Sequence, residues 1–229
     1  MSDEASWLDA LLARRKSARS FRPEPIPTPE LRALFAAAQN APSWCNIQPW
    51  RIRVTAPPLT RALADALEAA SLAGAKQPEI PYPPVYPEPY GDRRRACGIE
   101  LYRTMDIARD DRERRHEAWL RNYRLFDAPH AAIVCQDRRL GPYAGVDIGV
   151  WLGFLLAAAE ARSIDSCPMA SVAAYPTPLR TMLELPDDEV VVFAVALGRR
   201  DDAPVNACRT ERAPIDACVR FLGFDGADE

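Results

Sequence analysis

The chain has 229 residues, 48% of them hydrophobic and 27% charged, which is enough for one sizeable α/β core and too little for two ordinary domains. A formal charge of −3 provides no basic field for a phosphate polymer and argues against nucleic acid as a partner. The six cysteines contain no C-x-x-C pair, there is no H-E-x-x-H, and His116 and His130 are the only histidines, so a metal centre lacks its ligands. The N-terminus starts acidic, without the apolar core of a secretory signal. Free thiols in a reducing cytoplasm are the expectation. Lys16 and Lys76 apart, all 29 basic residues are arginine, which reads as coding bias.

Residues 6–16 carry Trp7, Leu8, Leu11 and Leu12 at helical spacing. Thr28-Pro29-Glu30 then supplies a cap, a proline at the first helical position and an early acid for a second helix to about Gln39. Asn40 to Ser43 read as a stop and loop, followed by a strand near Arg51 to Thr55 and a helix over 59–73. Residues 78–90, with six prolines and three tyrosines, favour extended polyproline geometry and suggest a lid, arm or partner ligand. Helix returns over 92–125, where RDDRERR at 109–115 reads as a solvated face. The runs at 130–135 and 189–197 are rich in β-branched residues and predict core strands. Between them, 144–162 predicts a helix apolar nearly all round, which belongs in the middle of the domain. Its apolar run from Ile148 to Ala159 is too short to span a bilayer. A short strand from Ile164 to Pro168, a helix over 177–185 and an extended tail from Gly198 complete the chain.

Chemistry concentrates in four places, and neither G-x-G-x-x-G nor a P-loop is present. Arg14-Arg15-Lys16-Ser17-Ala18-Arg19 offers the charge-assisted donors that close around a phosphate, although basic residues at a helix C-terminus also complement the macrodipole. Ala41 to Trp50 is a proline-framed loop presenting hydroxyl, amide and indole groups; it can position a ligand or simply stiffen a turn over Trp50. Asp165 to Ser171 follows a strand with backbone N–H groups that could face a ligand. Arg209-Thr210-Glu211-Arg212 near the C-terminus means little in isolation.

In this order, R-R-K-S-x-R-x-F at 14–21, A-P-S-x-x-N-x-Q-P-W at 41–50, D-x-C-P at 165–168, a strand end at Gly198 and R-T-E-R-A-P at 209–214 resemble the FMN-dependent nitroreductase superfamily across almost the whole chain. The resemblance implies an α+β fold, a mainly antiparallel sheet flanked by helices in one domain. It also implies an intertwined homodimer with two FMN sites at its interface, a lid or insertion at 78–125 and a C-terminal extension at 199–229 wrapping the partner. By position, Arg15, Ser17 and Arg212 would hold the FMN phosphate, with Lys16 and Arg209 close by. Arg19 would sit near the N1/O2 edge of the flavin and stabilise negative charge on the reduced ring. Pro42, Ser43, Trp44 and Asn46 would come from the other subunit. Pro168, Met169, Ala170 and Ser171 would lie along the N5/O4 edge with a main-chain N–H as donor; Met169-Ala170 departs from the glutamine or glutamate usual there. Asp147 would reach the ribityl chain, or else be an N-cap or solvated acid.

The implied reaction is ping-pong: NADH or NADPH reduces FMN by hydride transfer, and a nitroaromatic or similar flat acceptor takes the two electrons. Substrate choice would fall to Trp44, Tyr82, Tyr86 and Tyr90, whose rings can stack on such an acceptor. Reductive dehalogenation, quinone or ene reduction and biosynthetic dehydrogenation are alternatives on the same fold. A flavin-binding or peptide-docking protein without turnover is the alternative of another class.

Overall fold

The apolar, β-branched runs become the centre of a sheet. In the computed structural model, which describes residues 3–224, the strands are β1 (Arg51–Val54), β2 (His130–Asp137), β3 (Asp165–Met169) and β4 (Glu189–Gly198). They lie in the order β1-β2-β4-β3 with every neighbouring pair antiparallel. All of β2 is buried, as a central strand covered on both faces must be. Its pairing with β4 shifts between Val134 and Cys135, which face Phe193 and Val191 and leave Val192 as the extra residue of a bulge. The helices are α1 (Asp3–Arg14), α2 (Thr28–Ala38), α3 (Leu59–Leu72), α4 (Tyr90–Thr104), α5 (Arg112–Leu120), α6 (Pro142–Ala161) and α7 (Pro176–Leu183).

Strand alternation divides the core in two. Ala132, Val134, Val195 and Leu197 meet Leu34 of α2 and Ile148, Trp151 and Leu155 of α6. There Trp151 stacks between Phe35 and Trp50, each with ring centroids 6.3 Å away. On the opposite face Ala131, Ile133, Cys135, Ala194 and Ala196 pack with Leu63 and Leu67 of α3, Leu179 of α7, and Tyr123, Leu125 and Phe126. Truncating a fully buried leucine such as Leu67 or Leu155 costs about 2–5 kcal/mol in such packing. His130 is tied into this frame at both ring nitrogens: Nε2 accepts from the Ile26 N–H at 2.9 Å and Nδ1 donates to the Thr55 carbonyl at 3.0 Å. Its role is structural.

Three expectations need correction. The stretch expected as one helix over 92–125 is two, α4 and α5. Asp106 turns left-handed (φ 52°) after α4, and the Asp111 side chain caps α5 by accepting from the Arg114 N–H at 2.9 Å. The charged run at 109–115 is correspondingly more than a solvated face. Arg114 donates to the carbonyls of Met105 and Asp106 and Arg115 to that of Arg109, closing the turn between the helices.

Helix α6 is not enclosed. Ala144, Ile148, Trp151, Leu155 and Ala159 are buried, whereas Tyr143, Val146, Val150 and Phe154 are exposed along the other side. Its apolarity all round therefore reflects one face in this core and one uncovered face. At 20 residues it is also long and apolar enough to cross a membrane, contrary to the shorter run judged from sequence. Its burial of Trp151 and Leu155 against the sheet makes it a core helix in this fold. The tail after Gly198 is extended but contains short turns at Pro204–Ala207 and Ile215–Ala217. Residues 225–229 of the expected C-terminal extension lie outside the described residues.

Candidate functional site

The basic cluster runs from the C-terminus of α1, where the Arg15 N–H still donates to the Leu11 carbonyl at 3.2 Å, into the segment beyond it. Only Arg14 lies in the last turn, and its Nε pairs with Glu160 Oε1 at 2.8 Å. The chain then leaves the helix: Ser17 bridges to Ser166 of β3 and the Ala18 N–H donates to the Ser166 carbonyl at 3.0 Å. This anchoring, and not the macrodipole, places the side chains of 15–19. Arg15, Lys16, Ser17, Arg19, Arg209 and Arg212 all line one cleft of about 240 Å³, so residues almost two hundred positions apart meet.

Electrostatically the cleft is built for an anion. The Arg15 guanidinium, partly buried, makes no side-chain hydrogen bond or ion pair among the described residues. It is held below its ordinary value by burial and next by the facing charge of Arg212, with Arg209 adding to the effect. The Lys16 ammonium is likewise lowered, by burial and then by Arg200 and Arg209. Crowded cations without a carboxylate among them are an arrangement that a phosphate relieves. The nearby acids that act on these cations, Glu160 and Asp165, are engaged by Arg14 and Arg200 respectively.

Sequence reasoning missed the residue that organises this cleft. Asn206 is buried; its Oδ1 accepts from the Arg19 N–H at 2.8 Å, and its Nδ2 donates to the Ser20 carbonyl at 2.9 Å and to the Asp201 carbonyl at 3.1 Å. Its main-chain carbonyl accepts from Lys16 Nζ. One amide thus locks the 16–20 segment to the tail. In sequence it is a lone asparagine in a charged stretch, and only its burial reveals the role.

The loop expected to hold Pro42, Ser43, Trp44 and Asn46 forms a second, separate group, none of it lining the cationic cleft. Three non-glycine residues here, Cys45, Asn46 and Gln48, adopt left-handed backbone conformations (φ 49°, 58° and 47°). Such a concentration stores strain of the sort found at ligand-binding loops. Ser43 Oγ accepts from the Gln48 N–H at 2.9 Å and Asn46 Oδ1 from Gln48 Nε2 at 3.0 Å. Asp147 belongs to this group. It is the sixth residue of α6, so neither an N-cap nor solvated: Oδ1 accepts from the Trp44 N–H at 3.0 Å and Oδ2 is buried without a partner among the described residues. Exposed Trp44 packs edge-on against Tyr143 with ring centroids 5.0 Å apart.

The third group follows Ser17 along β3. Pro168 and Met169 end the strand and Ala170 opens the turn Ala170–Ala174. Met169 is buried in the core, as is Val172, so Met169 could face a ligand only through its main chain; Ala170 is exposed and Ser171 half-buried. Cys167, buried beside them, is pushed up to about 11 by burial and is an inert thiol. Of the three tyrosines expected to stack on substrate, Tyr82 is otherwise occupied. Its ring packs on the core and its hydroxyl donates to the Ala170 carbonyl at 2.6 Å. Tyr86 and Tyr90 are exposed, under Arg94 (5.2 Å) and beside Arg93 (5.8 Å) respectively.

The same arrangement of sequence and fold recurs in known proteins. The family model described as Nitroreductase family matches residues 12–199. A 4-nitrobenzoate reductase of Pseudomonas putida is 30% identical over 95% of this chain and 96% of its own length. A nitrobenzene nitroreductase of Ectopseudomonas oleovorans is 32% identical over 94% and 97%. The crystal structure of the FMN-dependent nitroreductase NfnB from Mycobacterium smegmatis in complex with NADPH superposes with a TM-score of 0.92 at 30% identity, covering 96% of this chain and 99% of that one. The antiparallel sheet, the cationic cleft after α1 and matches spanning nearly the whole length of both partners lead to one assignment: the chain belongs to the Nitroreductase family.

Proposed function

We propose that this protein is an FMN-dependent NAD(P)H oxidoreductase that reduces nitroaromatic or similar flat, electron-poor acceptors. The observation that carries the reading is the cleft itself: the Arg15 side chain unpartnered among the described residues, Arg209 and Arg212 crowded against it, Lys16 and Ser17 on the same wall. These residues fit a phosphate monoester, whose two negative charges satisfy cations that otherwise repel one another. Relatives named as reductases of nitrobenzoate and nitrobenzene, and a neighbour described as FMN-dependent and bound to NADPH, support the substrate class and both cofactors.

Bound FMN would supply reversible two-electron hydride chemistry, taken from NADH or NADPH and passed to the acceptor in a ping-pong cycle. The chain's own residues would hold and tune it. Arg15, Ser17 and Arg212 would bind the phosphate, with Lys16 and Arg209 adjoining. Arg19 would lie near the pyrimidine edge and favour the negative charge of the reduced state. Along the opposite edge, beside Pro168 and Met169, the main-chain N–H of Ala170 or Ser171 would be the donor. Trp44, Tyr86 and Tyr90 offer exposed rings to a flat acceptor.

A homodimer belongs to the same proposal. The uncovered face of α6 carries Val146, Val150 and Phe154 with Gly145, Gly149 and Gly153 at four-residue spacing, and nothing occupies the space a Cβ would take at those glycines. Two such helices can approach closely across a two-fold axis. Val219, Phe221, Leu222 and Phe224 in the 199–229 extension are exposed as well, as an arm awaiting a partner's surface would leave them. The partner's Pro42–Asn46 loop with Asp147 would then complete each site. Six thiols without a disulfide accord with a reducing cytoplasm.

Anaerobic titration of the purified protein with NADPH or NADH, then addition of a nitroaromatic, tests the reading. Bleaching of the flavin band followed by its recovery is the expected result. Failure to bleach with either nucleotide would refute it.

A further inference from the structure

The Pro/Tyr segment is less a free lid than a strap. At its start the Gln77 N–H donates to the Ala174 carbonyl at 2.8 Å. Two residues on, Glu79 accepts from the Val191 N–H at 2.9 Å and from Arg180 and Arg138 at 2.7 and 2.9 Å. At Tyr82 the ring rests on the core with Lys76 Nζ 5.1 Å from its centroid, and the hydroxyl reaches Ala170. The strap therefore grips both ends of the turn 170–174, the one assigned above to a flavin edge. Since a carbonyl can only accept, Tyr82 is the donor. Its phenol is also held above the ordinary tyrosine range, by burial and then by Tyr175, so the donating proton stays in place across the working pH range.

We propose that Tyr82 is a positioning residue for the reaction: by donating to the Ala170 carbonyl it fixes and polarises the Ala170–Ser171 peptide, making the Ser171 N–H a stronger donor to the bound flavin. The physical link is amide resonance. The Ala170 carbonyl and the Ser171 N–H belong to one conjugated unit, so drawing electron density onto the oxygen leaves the nitrogen's proton more positive. Hydrogen bonds in series strengthen one another by roughly 10–30% each. The turn is built to present this peptide: Met169 and Val172 point into the core while Ala170 stays exposed. A donor to the O4 carbonyl of that edge, which gains electron density on reduction and remains an acceptor, would favour the reduced state over the oxidised one. Tyr82 acts through the peptide and need not touch flavin or substrate.

This inference rests on the flavin reading above, and its test separates the two. Tyr82→Phe keeps the ring on the core and removes the donor; replacing Tyr82 by 3,5-difluorotyrosine keeps the ring and makes the donor stronger. In the FMN-loaded protein, the flavin midpoint potential should fall with phenylalanine and rise with difluorotyrosine. Hydride uptake from NADPH should slow by about twofold to threefold in Tyr82→Phe. In the flavin-free protein the Ser171 amide proton resonance should move upfield in Tyr82→Phe, a change no loss of packing explains because the ring is retained. A potential and an amide shift that are identical in all three proteins would overturn the role of Tyr82 while leaving the flavin reading intact. A wild-type protein that takes up no FMN would overturn both.

Discussion

Replacing Arg15 and Arg212 together by alanine separates what the cleft does to the empty protein from what it does for a bound phosphate. In the empty cleft the two guanidinium groups oppose each other, and Arg15 is further penalised by burial, with no side-chain acceptor among the described residues. Their removal relieves like-charge repulsion, so the flavin-free variant should melt at the wild-type temperature or slightly above it. With FMN the sign reverses. A charge-assisted hydrogen bond contributes about 1.5–3 kcal/mol, so losing two such partners costs about 3–6 kcal/mol, or roughly 10²–10⁴-fold in Kd. Quenching of free-flavin fluorescence on titration into deflavinated protein measures the affinity, and a thermal melt without flavin measures the other arm. An FMN Kd within threefold of wild type would remove the phosphate assignment. A flavin-free variant that melts several degrees lower would mean that the arginines are structural.

Two further outcomes follow from the geometry. Burial works against the Glu79 carboxylate, but the Val191 N–H, Arg180 and Arg138 together hold it below the usual carboxylate range. A depressed folded-state value means stability that is present above the unfolded pKa, near 4.5, and lost as pH falls through the folded value. Glu79→Gln should therefore lower Tm by roughly 5 °C at pH 7, with the difference closing as the carboxylate becomes protonated in acid; a difference that does not depend on pH would refute the ion-pair account. For the open face of α6, Val150→Arg combined with Phe154→Arg places charge at the centre of the proposed contact. Light scattering should find a dimer for wild type and a monomer for the variant, and a dimeric variant or a monomeric wild type would move the interface elsewhere.

Local chemistry explains which parts were legible. Helix α2 starts where expected, but Thr28 is its first residue and not its cap: the N-cap is Pro27 and no side chain caps the helix. The β-branched runs become β2 and β4 and the apolar stretch around Ile148 becomes α6, each within a few residues of expectation. These are decided by neighbours in sequence: proline position, side-chain branching and hydrophobic period. The break between α4 and α5 was also written locally, in the Asp110-Asp111 cap, but the dense charge around it obscured the signal. The basic cluster was legible as residues and not as a place. Whether 15–19 continued a helix end or lined a cleft depended on Ser17 pairing with Ser166, a partner nearly 150 positions away.

What sequence alone determined is therefore the set of elements and the chemical types available to the site, because propensity and ionic character are properties of short segments. What only the tertiary structure decided is who meets whom. Asn206 became the organiser of the cleft through five hydrogen bonds that join it to Lys16, Arg19, Ser20 and Asp201. Tyr82 became a buttress for Ala170, and α6 became an open face instead of a buried rod. Each outcome turns on burial and on the direction of a single polar group, quantities that arise only when distant segments pack and that no local pattern encodes.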